Sequence, residues 1–187
     1  MERVKILSWD KVSLVVPEKK DVKLWYRWVN DIENQMYLWS MFWRIISEKS
    51  EEEFFENLNK TDDNITFSIY IEEINKTIWN IWLIKLDYKS SNAELWIAIF
   101  DKENQNKWYW TEAIKLIQKY VFEILWLNKF YLRYISFNTR AWKVYEKCWF
   151  KSVWIMKKHE YRMWSYHDIV IMEILKEEYL NQKNSSN

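Results

Sequence analysis

The chain of 187 residues contains no glycine, and this absence restricts the conformations that its turns can adopt. Ordinary usage of about 7% would place roughly 13 glycines in a chain of this length. Glycine adopts positive φ without steric cost, and asparagine can replace it at only some positions. The same chain has 15 tryptophans and a single proline, Pro17. Because the chain lacks glycine, the residues that occupy its turns have to be identified, and we begin with the tryptophans.

Hydrophobic periodicity predicts a mixed α+β domain. Residues 64–72 alternate between apolar and polar, which indicates a strand, and the apolar spacing across residues 111–125 indicates a long helix. The predicted strands span residues 11–16, 64–72, 77–88, 93–100, 130–137, 150–161 and 166–175, and the predicted helices span residues 19–30, 47–58, 111–125 and 139–147. This order predicts one sheet of about seven strands with helices on both faces, an α/β/α sandwich. We expect a single domain over residues 1–180 and a disordered tail at residues 181–187.

Four tryptophans lie in predicted turns, where glycine is the usual residue. Trp126 and Trp149 each follow a predicted helix at the C′ position. Trp164 lies at the tip of the last hairpin, and Trp9 lies in a turn before the first predicted strand. A left-handed tryptophan costs about 1–2 kcal/mol. Several such costs would remove much of a typical stability of about 5–15 kcal/mol.

The tryptophans therefore allow two explanations. Ordinary core packing suits Trp25 and Trp28, which lie on the apolar face of a predicted helix. It suits the turn positions poorly, so we hypothesise that most tryptophans stand where the backbone is shaped for glycine. Engineering would produce this pattern, and so would a codon that the source reads as glycine. The intact mass of the native protein distinguishes fifteen tryptophans from fewer.

Composition narrows the expected partners and compartment. The net charge of +1 gives no reason to expect a nucleic-acid or membrane partner. The single cysteine, Cys148, cannot form an internal disulfide, which fits a reducing cytoplasm. The first residues carry charges and no long apolar segment, so we expect neither a signal peptide nor a membrane-spanning helix.

Residues 105–111 join a predicted strand to the strongest predicted helix, and this junction is a candidate anion site. Unpaired N–H groups at a helix N-terminus and the helix dipole both favour a phosphate. Close approach of a phosphate requires small residues in the loop. Read with glycine at Trp108 and Trp110, the segment is Gln-Asn-Lys-Gly-Tyr-Gly-Thr-Glu-Ala. It then resembles the pyrophosphate loop, Gln/Arg-x-x-Gly-x-Gly/Ala, of the GNAT family of acetyl-CoA-dependent N-acetyltransferases.

A second block supports this resemblance. Residues 138–150 are similar to the family pattern Asn-x-x-Ala-x-x-x-Tyr-x-Lys-x-Gly-Phe, with Trp149 in place of its glycine. The opening residues 9–12 and 25–31 and the closing residues 159–162 and 166–168 also resemble the family. The resemblance covers nearly the whole chain, and it is strongest to the branch that contains ribosomal-protein N-terminal and spermidine acetyltransferases. It implies a mixed, mostly antiparallel sheet.

The resemblance implies a role for each matching position, with acetyl-CoA as co-substrate. Backbone groups of Ile99 and Phe100 would hold the pantetheine arm, and Asn138 would contact the CoA arm. Tyr145 would protonate the departing thiolate as general acid, for which a phenol with a pKa of about 10 is suited. Glu94 is the candidate base, directly or through water. The pyrophosphate would be bound by backbone amides of Gln105, Asn106, Lys107, Trp108, Tyr109, Trp110 and Thr111.

Each candidate also has a structural explanation. Glu94 can equally be a strand-face carboxylate with a structural partner. Without the resemblance, Tyr145 would be a core aromatic on a short helix. The spacing of His159 and His167 matches no standard zinc pattern, so we expect no metal. Cys148 has no histidine nearby in the sequence, and a buried structural thiol explains it better than a nucleophile.

These observations favour an enzyme that transfers an acetyl group to a primary amine by direct attack. The amine is a protein N-terminus, a polyamine or an amino-sugar, and the acidic residues 48–53 could attract a polyamine. The alternative is an inactive binding module whose phosphate loop is blocked by Trp108 and Trp110. An aromatic-rich carbohydrate-binding module conflicts with the helix predicted at residues 111–125. A homodimer is also among the expectations.

Overall fold

The computed structural model describes residues 3–38, 43–99 and 108–185. Within these ranges lie eight strands: β1 Lys5–Trp9, β2 Val12–Val15, β3 Ile65–Ile71, β4 Lys76–Asp87, β5 Asn92–Ile99, β6 Lys129–Ile135, β7 Lys151–Arg162 and β8 Ser165–Leu175. The α-helices in the same ranges are α1 Val22–Val29, α2 Ile32–Gln35, α3 Glu48–Asn57, α4 Tyr109–Lys119, α5 Thr139–Lys147 and α6 Lys176–Ser185. None of the helices in the part of the chain described is long and apolar enough to cross a membrane.

The strands form one mixed sheet in the order β1-β2-β3-β4-β5-β6-β8-β7. Strands β5 and β6 pair in parallel, with Glu94 opposite Tyr131. The pairs β1/β2, β2/β3, β6/β8 and β7/β8 are antiparallel. The predicted α+β class with a mixed, mostly antiparallel sheet is therefore confirmed.

The sheet has eight strands among the described residues, and the expected number of about seven was too low. The additional strand is β1, whose side chains are mostly exposed, so it lacks the buried alternation that reveals a strand. Trp9 is the last residue of this strand, whereas the sequence placed it in a turn before the strand predicted at residues 11–16. The left-handed residue of the β1–β2 turn is Asp10, with a φ of 40°.

Residues 1–82 and 97–109 form the first of two compact units. Trp25 of α1 packs between two rings of α3, with centroids 6.4 Å from Phe54 and 6.1 Å from Phe55. The Ser47 hydroxyl accepts a hydrogen bond from the Ser50 amide and caps α3, as the sequence predicted. The Asn30 side chain both donates to the Ile46 carbonyl and accepts from the Ile46 amide, which fixes the segment before α3.

Residues 83–96 and 110–187 form the second unit. Helix α4 supplies its core with the predicted apolar face, including the fully buried Ala113, Ile114 and Ile117. The helix continues as a π-helical segment, Tyr120–Ile124. Each unit is compact by itself, and the single domain over residues 1–180 stays a prediction.

Helix α6 occupies much of the segment where the sequence indicated a polar tail, because the helix extends to Ser185. One residue anchors it: Tyr179 is buried, and its hydroxyl donates a hydrogen bond to Glu123 at 2.5 Å. The Tyr179 ring also stacks on Phe122, with centroids 4.9 Å apart. A single buried aromatic leaves no periodic apolar pattern, so this helix could not be predicted from apolar spacing.

Strand β7 lies at the edge of the sheet and is irregular. Its pairing with β8 shifts between Ser152 and Trp154 and again between Met156 and Glu160. Inside the second shift, Lys158 has a φ of 51° and its amide donates to the Asp168 carboxylate at 2.7 Å. The strand is therefore divided into short segments of regular ladder.

Candidate active site

Helix α5 carries two of the predicted site residues. Asn138 caps the helix, because its side-chain oxygen accepts a hydrogen bond from the backbone N–H of Ala141 at 3.2 Å. The cap uses the oxygen, so a contact of Asn138 with CoA would come from the amide nitrogen. The predicted bounds of this helix, residues 139–147, are confirmed.

Tyr145 is buried two turns into α5. Its ring packs against Tyr134, with centroids 5.9 Å apart, and against Phe150 at 6.2 Å. Burial raises the pKa of Tyr145 well above its ordinary value, and the neighbouring Cys148 and Tyr134 add to the shift. The phenol is therefore protonated at neutral pH, as a general acid must be. The role itself stays a prediction, since a core aromatic would be equally buried.

Glu94 lies on β5 at the centre of a charged cluster. Its side chain is buried, and one carboxylate oxygen accepts a hydrogen bond from Arg133 Nε at 2.7 Å. The ammonium of Lys85 lies 2.9 Å from the other oxygen. The charge of Glu94 and a hydrogen bond to it raise the pKa of Tyr131, although burial is the larger cause. Glu94 thus has structural partners, and any action as a base requires a water to carry the proton past them.

The start of α4 is the described part of the predicted pyrophosphate loop. Helix α4 begins at Tyr109, two residues before the predicted start, so its first-turn amides include those of Trp110 and Thr111. Trp108 is 76% exposed, whereas Tyr109 and Trp110 are buried. The N–H groups of a helix's first turn and the helix dipole together suit an anionic diphosphate. Phe100, Gln105, Asn106 and Lys107 lie outside the described residues, and Ile99 is the last residue of β5.

The comparisons with known proteins decide the family. The model of the Acetyltransferase (GNAT) domain matches residues 11–151. The chain belongs to the GNAT acetyltransferase family. The predicted resemblance is therefore confirmed, and the chain is an acyltransferase that uses acetyl-CoA as co-substrate. No curated protein matches the chain in a sequence comparison.

Solved structures show the same fold over nearly the whole chain. A spermidine N-acetyltransferase from Vibrio cholerae, solved in complex with CoA and spermine, has a TM-score of 0.81 at 26% identity, covering 91% of this chain and 99% of that one. The spermidine/spermine N-acetyltransferase SpeG from Vibrio cholerae, solved with manganese ions, has a TM-score of 0.76 at 26% identity, covering 92% and 96%. Both are N-acetyltransferases to which the chain is similar.

The structure does not test the individual site assignments, and it adds residues that the sequence did not indicate. Arg133 and Lys85 surround Glu94, and Gln118 contacts the end of α5. Alternation along β6 places Arg133 and Tyr131 on one face, but the pairing of β6 with β5 is set by the tertiary fold. Among the described residues, no group of three His, Cys, Asp or Glu side chains could hold a metal ion. The expectation of a metal-free site stays a prediction.

Proposed function

We propose that this GNAT enzyme acetylates a primary amine of a polyamine by direct attack on acetyl-CoA in a ternary complex. The observation that carries the proposal is the similarity, over nearly the full length of both chains, to a spermidine N-acetyltransferase bound to CoA and spermine. Direct attack requires no covalent enzyme intermediate, and the buried Cys148 fits that requirement. Burial raises the pKa of its thiol to about 12, so the thiol is protonated and a poor nucleophile.

Tyr145 and Glu94 supply the proton transfers in this proposal. The amine nitrogen bonds to the acetyl carbon as the carbon–sulfur bond breaks. The departing thiolate takes the phenolic proton of Tyr145, which is present at neutral pH even at the ordinary pKa of about 10. The amine loses its proton through water to Glu94, which the cations of Arg133 and Lys85 hold in place. Glu94 then releases its proton to solvent, and solvent returns a proton to Tyr145.

Helix α3 supports a cationic acceptor. It carries a group of carboxylates that includes Glu48, Glu51, Glu52, Glu53 and Glu56. Glu51 is buried, and desolvation raises its pKa. A surface of one charge attracts a multiply charged ligand of the opposite sign. This charge distribution favours a multiply charged polyamine over an amino-sugar with a single amine, and the protein N-terminus remains the second candidate acceptor.

An acetylation screen across amine classes tests the acceptor. Spermidine and spermine, peptides with a free N-terminus and aminoglycosides are each assayed by release of CoA. We expect the polyamines to have the highest kcat/KM. A higher kcat/KM for the peptides would reject a polyamine as the acceptor, while the assignment as an N-acetyltransferase would stand.

Calorimetric titration with acetyl-CoA tests the alternative of an inactive module. We expect binding heat, because Trp110 is buried and the exposed Trp108 precedes the first residue of α4. Absence of both heat and turnover would support the blocked module. None of the comparisons supports that alternative.

A further inference from the structure

We propose that Gln118 is a positioning residue that holds the Tyr145 end of α5, an inference that rests on the proposed role of Tyr145. Gln118 lies on α4 and is fully buried. Its Nε2 donates a hydrogen bond to the carbonyl of Cys148 at 2.7 Å. Cys148 ends α5 three residues after Tyr145, so one buried amide joins the two helices at the proposed general acid.

The turn that Gln118 holds includes the backbone of Tyr145. The Tyr145 carbonyl accepts hydrogen bonds from the Cys148 amide at 3.0 Å and the Phe150 amide at 3.1 Å. Phe150 also packs its ring against Tyr145. A displacement of the Cys148 carbonyl therefore moves the backbone and the ring contact of Tyr145 together.

A second contact joins the same two helices. The Cys148 thiol lies 3.8 Å from the carbonyl of Thr111 in the first turn of α4, and burial keeps the thiol protonated as a weak donor. Contacts from the start and from the end of α4 thus meet at one residue of α5. Since the start of α4 is the proposed diphosphate site, α4 can set the position of Tyr145 relative to the bound thioester.

The chemistry of Gln118 indicates that its donor is needed. Its side-chain oxygen is buried and has no hydrogen-bond partner among the described residues. A buried amide with one unmatched group is less favourable than an apolar side chain of the same size. Packing alone would favour methionine or leucine here, so the specific contribution of glutamine is the N–H that closes the end of α5.

A double-mutant cycle of Gln118→Met and Tyr145→Phe tests the proposal. We expect Gln118→Met to lower kcat by about tenfold, as a misplaced catalytic group would, with the KM for acetyl-CoA changed by less than about twofold. In the Tyr145→Phe background the same substitution should have no further effect on kcat, because the group that it positions is absent. An equal loss in both backgrounds, or no loss in either, overturns the positioning role.

Two further variants keep the result interpretable. Gln118→Asn retains the amide but shortens its reach, and it should reproduce the loss of kcat if Gln118→Met does not fold. Gln35→Met removes another buried glutamine that donates to backbone carbonyls, those of Val29 and Arg44, and its effect on kcat should be independent of Tyr145. Unchanged turnover after Tyr145→Phe alone would reject the proposed acid and Gln118 with it. If Tyr145→Phe lowers kcat but the double-mutant cycle shows no coupling between the two residues, only the positioning role of Gln118 is rejected.

Independently, we infer that the protein made by its source carries glycine at the tryptophan positions whose backbone is left-handed. Four tryptophans are left-handed: Trp43 with a φ of 67°, Trp126 with 58°, Trp149 with 67° and Trp164 with 62°. The positive φ predicted at the last three is confirmed. For a bulky side chain such values are outliers.

The hydrogen bonds at these positions are those of glycine-dependent motifs. At the end of α5, the Trp149 amide donates to the Glu146 carbonyl and the Phe150 amide donates to the Tyr145 carbonyl, which is the Schellman pattern with Trp149 at C′. At the tip of the β7–β8 hairpin, Met163 and Trp164 both have positive φ, as a type I′ turn requires.

Burial does not offset the strain at three of the four. Trp43, Trp126 and Trp164 are 71%, 72% and 91% exposed, so their indoles gain little by leaving water. The absence of glycine from the chain is the fourth observation. A codon that the source translates as glycine accounts for all of them at once.

Intact mass spectrometry of the protein purified from its source tests this inference. We expect a mass below that of the printed sequence by one tryptophan-to-glycine difference for each affected position. A mass that contains fifteen tryptophans overturns it. In the recombinant chain, Trp126→Gly and Trp164→Gly should each raise the melting midpoint by about 2–8 °C, and the control Trp25→Gly in the core should lower it. A fall for both turn variants would contradict the geometry on which the inference rests.

Discussion

The C-terminal ends of two helical segments in the second unit share a left-handed tryptophan but differ in what surrounds it. Trp149, after α5, is half-buried, with its ring 6.4 Å from Tyr179 and the Lys115 ammonium 5.1 Å from its centroid. Trp126, after the π-helical segment, is mostly exposed, with Lys176 over its ring at 4.2 Å. The α5 end is also tied by Gln118 and carries Tyr145. The difference teaches that the same backbone motif, which ends a helix in both places, would at the α5 end also hold the proposed general acid.

The largest expected effect separates the two ends by activity. Tyr145→Phe should lower kcat by about 10²–10⁴-fold, because it removes the proposed proton donor. The matched control is Tyr120→Phe at the start of the π-helical segment, which should leave kcat within about twofold. Steady-state kinetics on folded variants measures both. Similar losses in the two variants would remove the distinction between the ends.

The two tryptophans should respond differently to glycine. Trp126→Gly relieves left-handed strain and loses little burial beyond the Lys176 contact, so it should stabilise the chain by about 1 kcal/mol. Trp149→Gly relieves the same strain but loses the contacts with Tyr179 and Lys115, so its gain should be smaller. Urea unfolding of each variant gives the two free energies. A larger gain at Trp149 would contradict the view that its ring is the better packed.

Alkaline pH should reduce the contribution that the buried tyrosines of this unit make to the free energy of unfolding. The pKa values of Tyr145 and Tyr179 are both raised, mainly by burial, whereas an unfolded tyrosine ionises near a pKa of about 10. Above about pH 10 the unfolded chain loses these protons and the folded chain keeps them, so the free energy of unfolding falls as pH rises. Below about pH 10, these two tyrosines should not change the free energy of unfolding.

Unfolding free energies at pH 8 and at pH 10.5 check this expectation. The fall between the two should be smaller in Tyr145→Phe and in Tyr179→Phe than in the parent chain. The exposed Tyr161→Phe on β7 is the control and should behave like the parent. A parent chain that is more stable at pH 10.5 would reverse the sign and reject the account.

The smallest expected effects concern the cations over the two indoles. Lys176→Met should cost about 0.5–1 kcal/mol, the usual size of a cation–π contact at an exposed site, and Lys115→Met should cost less because its ammonium is farther from the ring. Combining Lys176→Met with Trp126→Gly should abolish its cost. If Lys176→Met still destabilises the chain when Trp126→Gly is present, the lysine has a stabilising partner other than the indole.

Much of the fold could be predicted because local signals and tertiary packing agree. Asn138 as cap and the left-handed Trp149 define both ends of α5 in the sequence itself. Strand β1 and helix α6 were missed because the first is exposed and the second buries one anchor, Tyr179. In both, the periodic pattern that carries sequence prediction is absent.

In the candidate site the roles of Asn138 and Tyr145 stay predictions, and only their positions at α5 were predictable, through the family pattern. The supporting contacts of the site were not predictable, because Gln118 and Cys148 are 30 residues apart and Arg133 and Glu94 are 39 apart. Such pairs depend on how α4 packs on α5 and on the parallel register of β5 with β6. A single sequence contains no periodic signal for either.

The divided edge strand β7 bears on how copies of this chain meet. A long regular edge offers a row of unpaired amides and carbonyls on which a neighbouring molecule can extend the sheet. The shifts along β7 and the inward turn of the Lys158 amide toward Asp168 interrupt that row about midway. Edge-to-edge aggregation through this strand is therefore disfavoured, and a homodimer that meets at β7 would be held together by side-chain contacts instead of a continuous intermolecular ladder.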